Sequence, residues 1–129
     1  MIILDTHIWL WWINQDNERL GANRVAAIQS ADIVAVSAIS CFEVAWLDLH
    51  GRIELPCSRQ TWFEKALEGS VIALLPITPA IATAAVELPE HHRDPQDRLI
   101  IATALINDAK LMSADQKFLK YQEIVNNLL

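Results

Sequence analysis

Four short apolar runs set the frame of this chain: residues 2–4 (Ile-Ile-Leu), 33–36 (Ile-Val-Ala-Val), 71–75 (Val-Ile-Ala-Leu-Leu) and 111–113 (Leu-Met-Ser). Each is too short for a helix and each is followed by a helix-initiating signal, so strands alternate with helices along the chain. Successive strands joined by helical crossovers lie parallel in one sheet. The pattern therefore predicts an α/β protein with a mostly parallel central sheet and helices on both faces. With 53% hydrophobic and 20% charged residues, three glycines and five prolines, the 129 residues hold one core and no flexible linker. A single domain over residues 1–129 is expected.

The helix signals are specific enough to place boundaries. A helical stretch should run from Thr6 to about Asn14, and residues 23–31 read as a second helix with Asn23 as N-cap. Ser37 or Ser40 opens the next, and Ser40 to Glu43 has the spacing of a capping box. That helix ends near His50, with Gly51 placed to stop it. Residues 58–68 form a helix closed by Gly69. Thr78-Pro79 and Asp94-Pro95 each put proline directly after a capping residue, predicting helices that reach about Glu87 and Asn107. Between them, residues 89–93 read as a polar loop in which His91 and His92 are solvated. Residues 115–119 should form a helical turn and residues 123–125 a last edge strand.

Four acids, Asp5, Glu43, Asp97 and Asp115, fall at or close to strand-to-helix switches. In a parallel sheet those switches gather at the carboxyl edge, where ligands bind. Each acid also has a local explanation. Asp5 can cap the helix at Thr6, Glu43 can complete the capping box, Asp97 can answer a helix dipole, and Asp115 can serve a turn. Two features favour convergence: Glu43 is the only charge in residues 38–47, and Asp97 shares a face with Ile100, Ile101 and Ala104. Asp94 is expected to cap or to act as a further metal ligand. Thr6, Ser37 and Ser113 supply hydroxyls at the same edge, suited to orienting the ligands.

Carboxylates gathered at one point repel unless a cation neutralises them. An all-oxygen donor set with no Cys or His at ligand spacing selects Mg²⁺ or Mn²⁺ over zinc. Such ions activate water and steady the leaving oxygen of a phosphodiester. No serine–histidine pair, reactive cysteine or GxxxxGK[ST] loop competes for the role. The net charge of −6 argues against a broad basic surface for nucleic acid. Arg93, Arg98, Lys117 and Lys120 flank the last two acids and are the candidate phosphate contacts.

Other features bear on partners and location. Cys41 and Cys57 make no disulfide framework, and Cys41 is expected to pack in the interior. The apolar first thirteen residues lack a basic n-region and a cleavage site, and Asp5 and His7 interrupt them, so a cytoplasmic, non-membrane protein is expected. Of the five tryptophans, Trp9 and Trp12 lie three apart on the first helix and are expected at an interface.

The stretches Ile3-Leu-Asp5-Thr6-His, Ser37-Ala-Ile-Ser-Cys-Phe-Glu43, Asp97-Arg-Leu-Ile-Ile-Ala-Thr-Ala-Leu105 and Ser113-Ala-Asp115-Gln-Lys-Phe118 resemble, in this order, those of PIN domains. The similarity is specifically to the VapC-type toxin ribonucleases of type II toxin–antitoxin pairs. It implies a PIN-like three-layer sandwich and carries the family's acidic quartet onto Asp5, Glu43, Asp97 and Asp115. It further implies Mg²⁺- or Mn²⁺-dependent endoribonuclease activity on RNA, homodimerisation, and inhibition by a small cognate antitoxin. Asp94 matches an extra acid found in one branch of the family, and Ser113 stands where threonine is common. Two other readings compete. One is a PIN-like module that has lost catalysis and binds RNA or protein, which the presence of all four acids disfavours. The other is a phosphoacceptor signalling domain, which wants an acidic pair after the first strand and an aspartate after a middle one. Here one acid follows the first strand, and Ser37 and Pro76 follow the middle ones.

Overall fold

The computed structural model of the chain describes residues 1–90 and 93–129; His91 and His92, expected in a solvated loop, lie outside them. Strands β1 (Ile2–Leu4), β2 (Val34–Ser37), β3 (Ala73–Leu75) and β4 (Lys110–Met112) form one sheet in the order β3-β2-β1-β4. Every pairing is parallel: Ile3 lies opposite Ala35 on one side and Leu111 on the other, and Ala35 also faces Ala73. The helices between them are α1 (Thr6–Ile13), α2 (Asn17–Leu20), α3 (Ala22–Ser30), α4 (Ala38–Leu49), α5 (Arg59–Ala66), α6 (Pro79–Glu87) and α7 (Pro95–Ile106).

A parallel sheet needs cover on both faces, and the pleat of β1 shows how it is met. Leu4 points into a core with Ile8, Trp9, Val36, Val44, Trp62 and Met112. Its neighbour Ile3 points the other way, into a core with Ala35, Ile100, Ile101, Leu111 and Phe118. Alternate residues of one three-residue strand thus serve two separate cores, which is why all three are apolar. Helix α1 covers the first face and α7 the second, giving the expected helix–sheet–helix sandwich.

Several boundaries differ from those the sequence predicts. Helix α3 is capped by Gly21, at φ 84, rather than by Asn23, and the short α2 before it, capped by Asp16, has no apolar period to betray it. Ser37 caps α4 through its hydroxyl, so no capping box forms; Ser40 lies inside the helix. Helix α5 ends at Ala66 and tightens into a 3₁₀ turn at Glu68–Ser70. The left-handed position then falls on Val71, at φ 53, instead of Gly69. Residues 123–125 form no strand. A 3₁₀ turn at Val125–Asn127 leads to a single bridge between Leu111 and Leu128, and the Leu129 amide donates to the Leu111 carbonyl at 2.9 Å.

The expectation of Trp9 at an interface is overturned. Its ring is fully buried, 4.9 Å from that of Trp62 in an edge-to-face arrangement, and its indole N–H donates to the Ala66 carbonyl at 3.2 Å. The face of α1 that carries Ile8 and Trp9 is the one laid on the sheet, and the hydrogen bond satisfies the only polar atom the ring buries. Trp12 is half-buried against the same core. Trp46 is the exposed member, stacked on His50 with ring centroids 4.0 Å apart. Cys41 packs against the first core, as expected. Among the described residues no helix is long and apolar enough to cross a membrane.

Candidate metal centre

Strand β1 delivers Asp5 to the carboxyl edge of the sheet, and its amide donates to the Met112 carbonyl at 2.9 Å, pinning it against the exit of β4. The two carboxylate oxygens of Asp5 are engaged by different segments of the chain. Oδ1 accepts from the Thr6 amide at 2.6 Å, as a helix cap does, while Oδ2 accepts from the Ser113 hydroxyl at 2.6 Å. Ser113 Oγ also accepts from the Asp115 amide at 3.0 Å, so one hydroxyl ties the first acid to the last. On α4, Glu43 Oε2 accepts from the Thr6 hydroxyl at 2.6 Å, and that hydroxyl lies 2.9 Å from Ser40 Oγ. Thr6 therefore orients Asp5 with its backbone and Glu43 with its side chain.

Asp97 and Asp115 approach from the other side. Asp97, in the first turn of α7, is only 7% exposed. Asp115 caps the 3₁₀ turn Gln116–Lys120, its Oδ1 accepting from the Lys117 amide at 3.0 Å. Asp5, Glu43, Asp97 and Asp115 line one cavity of about 250 Å³, together with His7, Trp11, Ala114 and Lys117. Asp94 is the cap of α7: its Oδ1 accepts from the amides of Gln96 at 2.9 Å and Asp97 at 3.4 Å.

The cations divide sharply. Lys117 Nζ lies 3.0 Å from Asp97, 3.3 Å from Asp115 and 3.7 Å from Asp94. Arg98 faces elsewhere. Its guanidinium donates to the carbonyls of Leu88 at 2.7 Å, Pro89 at 2.8 Å and Val86 at 3.1 Å, closing the end of α6. Replacing Arg98 by methionine should therefore cost about 1–3 kcal/mol of stability through unpaired carbonyls, measured by urea unfolding. A loss confined to RNA binding would refute this. Arg93 and Lys120 are exposed and do not line the cavity. Ser37, expected beside the acids, instead caps the helix that carries Glu43.

Burial dominates the electrostatics. It raises the pKa of Asp5 against the hydrogen bonds from Ser113 and Thr6, and that of Glu43 against the hydroxyl of Thr6. Asp97 is pushed up to about 6 by burial, in spite of the Lys117 ammonium beside it. Burial works against the charge of Lys117 as well, but the hydrogen bonds and attraction from Asp97 and then Asp115 outweigh it and raise its pKa. Carboxylates that resist ionisation in a confined space are acids waiting for positive charge.

The donor set fits a hard divalent cation in its chemistry, since the four acids that line the cavity offer only oxygen. Asp97 and Asp115 are spaced around the Lys117 ammonium, whereas Asp5 and Glu43 are held by hydroxyl and amide donors. Among the described residues no three of His, Cys, Asp and Glu stand close enough together to hold an ion as they are. In the sequence Ser40 reads only as a capping residue, and Trp11 has no role at the site. The first has a signal, since Ser40 lies three residues before Glu43 on one helix. Trp11 lies one turn after His7 on α1, and their rings are 6.4 Å apart at the cavity.

A family model for the PIN domain matches residues 2–124. Ribonuclease VapC22 of Mycobacterium tuberculosis (strain ATCC 25618 / H37Rv) is 38% identical over 117 residues, which is 90% of this chain and 88% of that protein. Among solved structures, VapBC2 from Rickettsia felis bound to a promoter DNA fragment matches with a TM-score of 0.71 at 19% identity, covering 100% of this chain and 98% of that one. A toxin–antitoxin complex from Klebsiella pneumoniae matches at 0.66 and 19%, covering 100% and 96%. FitAcB from Neisseria gonorrhoeae matches at 0.63 and 22%, with the same coverage of 100% and 96%. These structural likenesses speak for the fold, a parallel sheet flanked by helices, and the matched model and the relative speak for the lineage. The chain belongs to the PIN-domain family.

Proposed function

We propose that this chain is an endoribonuclease dependent on Mg²⁺ or Mn²⁺, that it is the toxin of a toxin–antitoxin pair, and that Asp5, Glu43, Asp97 and Asp115 are its catalytic metal ligands. One observation carries the reading: acids from four separate segments line a single cavity at the carboxyl edge of the sheet. The ribonuclease named among the relatives supports the choice of RNA as substrate. The proposal includes a single PIN domain over residues 1–129, a cytoplasmic location, a homodimer and a small antitoxin that silences it. Phe42, Trp46 and Leu49, exposed along α4, offer an apolar face for protein contacts.

A divalent cation bound there would polarise a water for attack on the phosphodiester and neutralise the leaving oxygen. The chain's own contribution is geometric. Ser113 and the Thr6 amide fix both oxygens of Asp5, and the Thr6 hydroxyl fixes one oxygen of Glu43. Replacing Thr6 by valine keeps the volume and removes the donor, so cleavage should fall about 10–100-fold and need more metal. A metal titration of the cleavage rate reads this, and an unchanged titration would exclude the role for Thr6.

The experiment that tests the whole reading is incubation of the purified protein with a panel of transfer, ribosomal and messenger RNAs in EDTA, Mg²⁺ or Mn²⁺, beside Asp5→Asn. Cleavage that needs both the cation and Asp5 is the expected result. Full metal-dependent cleavage by Asp5→Asn would remove the catalytic assignment, and RNA binding without cleavage would favour the inactive module.

A further inference from the structure

The acid cavity already contains a cation, and it belongs to the chain. Asp5 and Glu43 are stabilised by hydroxyl and amide donors, whereas Asp97, Asp115 and Asp94 surround the Lys117 ammonium at 3.0, 3.3 and 3.7 Å. The two halves of the site are thus neutralised by different means. A single positive charge faces three carboxylate oxygens at 3.0, 3.3 and 3.7 Å, each well beyond the roughly 2.1 Å of a Mg–oxygen contact. The side chain is 43% exposed and extends on a flexible stem from a 3₁₀ turn, so the ammonium can swing away with no change to the backbone. An ammonium and a divalent ion cannot share these oxygens, because at about 4 Å their repulsion in a partly buried site is severe.

We propose that Lys117 is a built-in competitor of the divalent cation: its ammonium holds Asp97 and Asp115 together while the metal is absent and must leave their oxygens before a metal can enter. The inference rests on the metal-binding reading of the acids. It explains why no three acids stand at ligand spacing around Lys117, and it makes metal affinity depend on where that side chain is. Once displaced, the ammonium remains at the cavity wall. It is then free to take an RNA phosphate, so substrate and metal should assist each other's binding.

The test is calorimetric titration of Mn²⁺ into the full chain as wild type, Lys117→Met and Lys117→Arg, with melting temperatures in EDTA and in excess Mn²⁺. Lys117→Met should bind Mn²⁺ about tenfold more tightly than wild type. It should also melt lower in EDTA and gain more on adding Mn²⁺, while Lys117→Arg, which keeps the charge, should stay close to wild type. Lys117→Gln serves in its place if the methionine variant does not fold. Equal or weaker Mn²⁺ binding by the neutral variant would overturn the competitor role and leave the metal reading standing. Absence of Mn²⁺ binding in every variant would overturn both.

Discussion

Replacing Asp97 by asparagine is expected to abolish RNA cleavage, by a factor of about 10³ or more, while making the metal-free protein more stable. The first effect follows if metal chemistry contributes several kcal/mol to the barrier, since each 1.4 kcal/mol or so is tenfold in rate. The second follows from burial. The folded chain holds the Asp97 proton up to about pH 6, whereas the unfolded chain releases it near 3.8. The folded state therefore binds more protons across that window, and stability falls as pH rises through it. The contribution is fully present below pH 3.8 and gone above about pH 6, and it is worth at most about 3 kcal/mol. Wild type in EDTA should lose stability between pH 4 and 7, and Asp97→Asn should flatten the slope. Urea unfolding at several pH values reads both. A variant that is inactive and also less stable at neutral pH would show that Asp97 serves the fold through Lys117 more than it strains it.

Truncating Trp9 to alanine should cost about 3–5 kcal/mol, the range for a fully buried large aromatic. The loss combines a cavity in the first core, the edge-to-face contact with Trp62, and the hydrogen bond to Ala66. Against a total of about 5–15 kcal/mol for a small domain, that is enough to leave a substantial fraction of the protein unfolded at physiological temperature. Because α1 also carries Thr6, the acid site should loosen with it. Trp46→Ala, on the exposed face of α4, should stay within about 0.5 kcal/mol. Similar losses for the two variants in urea unfolding would contradict the burial of Trp9.

The contrast between the two tryptophans shows what the sequence can and cannot convey. Alternation of apolar runs with capped helices locates the four strands and the main helices, because capping chemistry is local, but it also predicts an edge strand at residues 123–125 that does not form. Thr78-Pro79 and Asp94-Pro95 marked their helix starts to the residue. Where structure depends on what packs from afar, local signals carry no information. Nothing within α1 says that the Trp9 edge meets residue 62 rather than solvent, and Arg98, beside an acid in sequence, turns to carbonyls nine to twelve residues earlier in the chain. The same limit applied at the site. Strand exits bring the four acids into view, but the hydrogen bond from the Thr6 hydroxyl to Glu43 spans 37 residues and has no local signature.

The bond between Asp5 and Ser113 closes a loop of 108 residues, and this sets an order of events during synthesis. Strand β1 can pair with β2 and bury Leu4 early, but its other edge stays open until β4 emerges, over a hundred residues later. Contacts so distant along the chain form late. Ser113, Asp115 and Lys117 all follow β4, so the last of the four acids and the cavity's resident cation arrive only as the sheet is completed. A growing chain can therefore pair β1 with β2 and join Asp5 to Glu43 through Thr6 while Met112, Asp115 and Lys117 are still to come. Completion of the acid cavity only at the end of synthesis is a consequence of placing the first strand in the middle of the sheet.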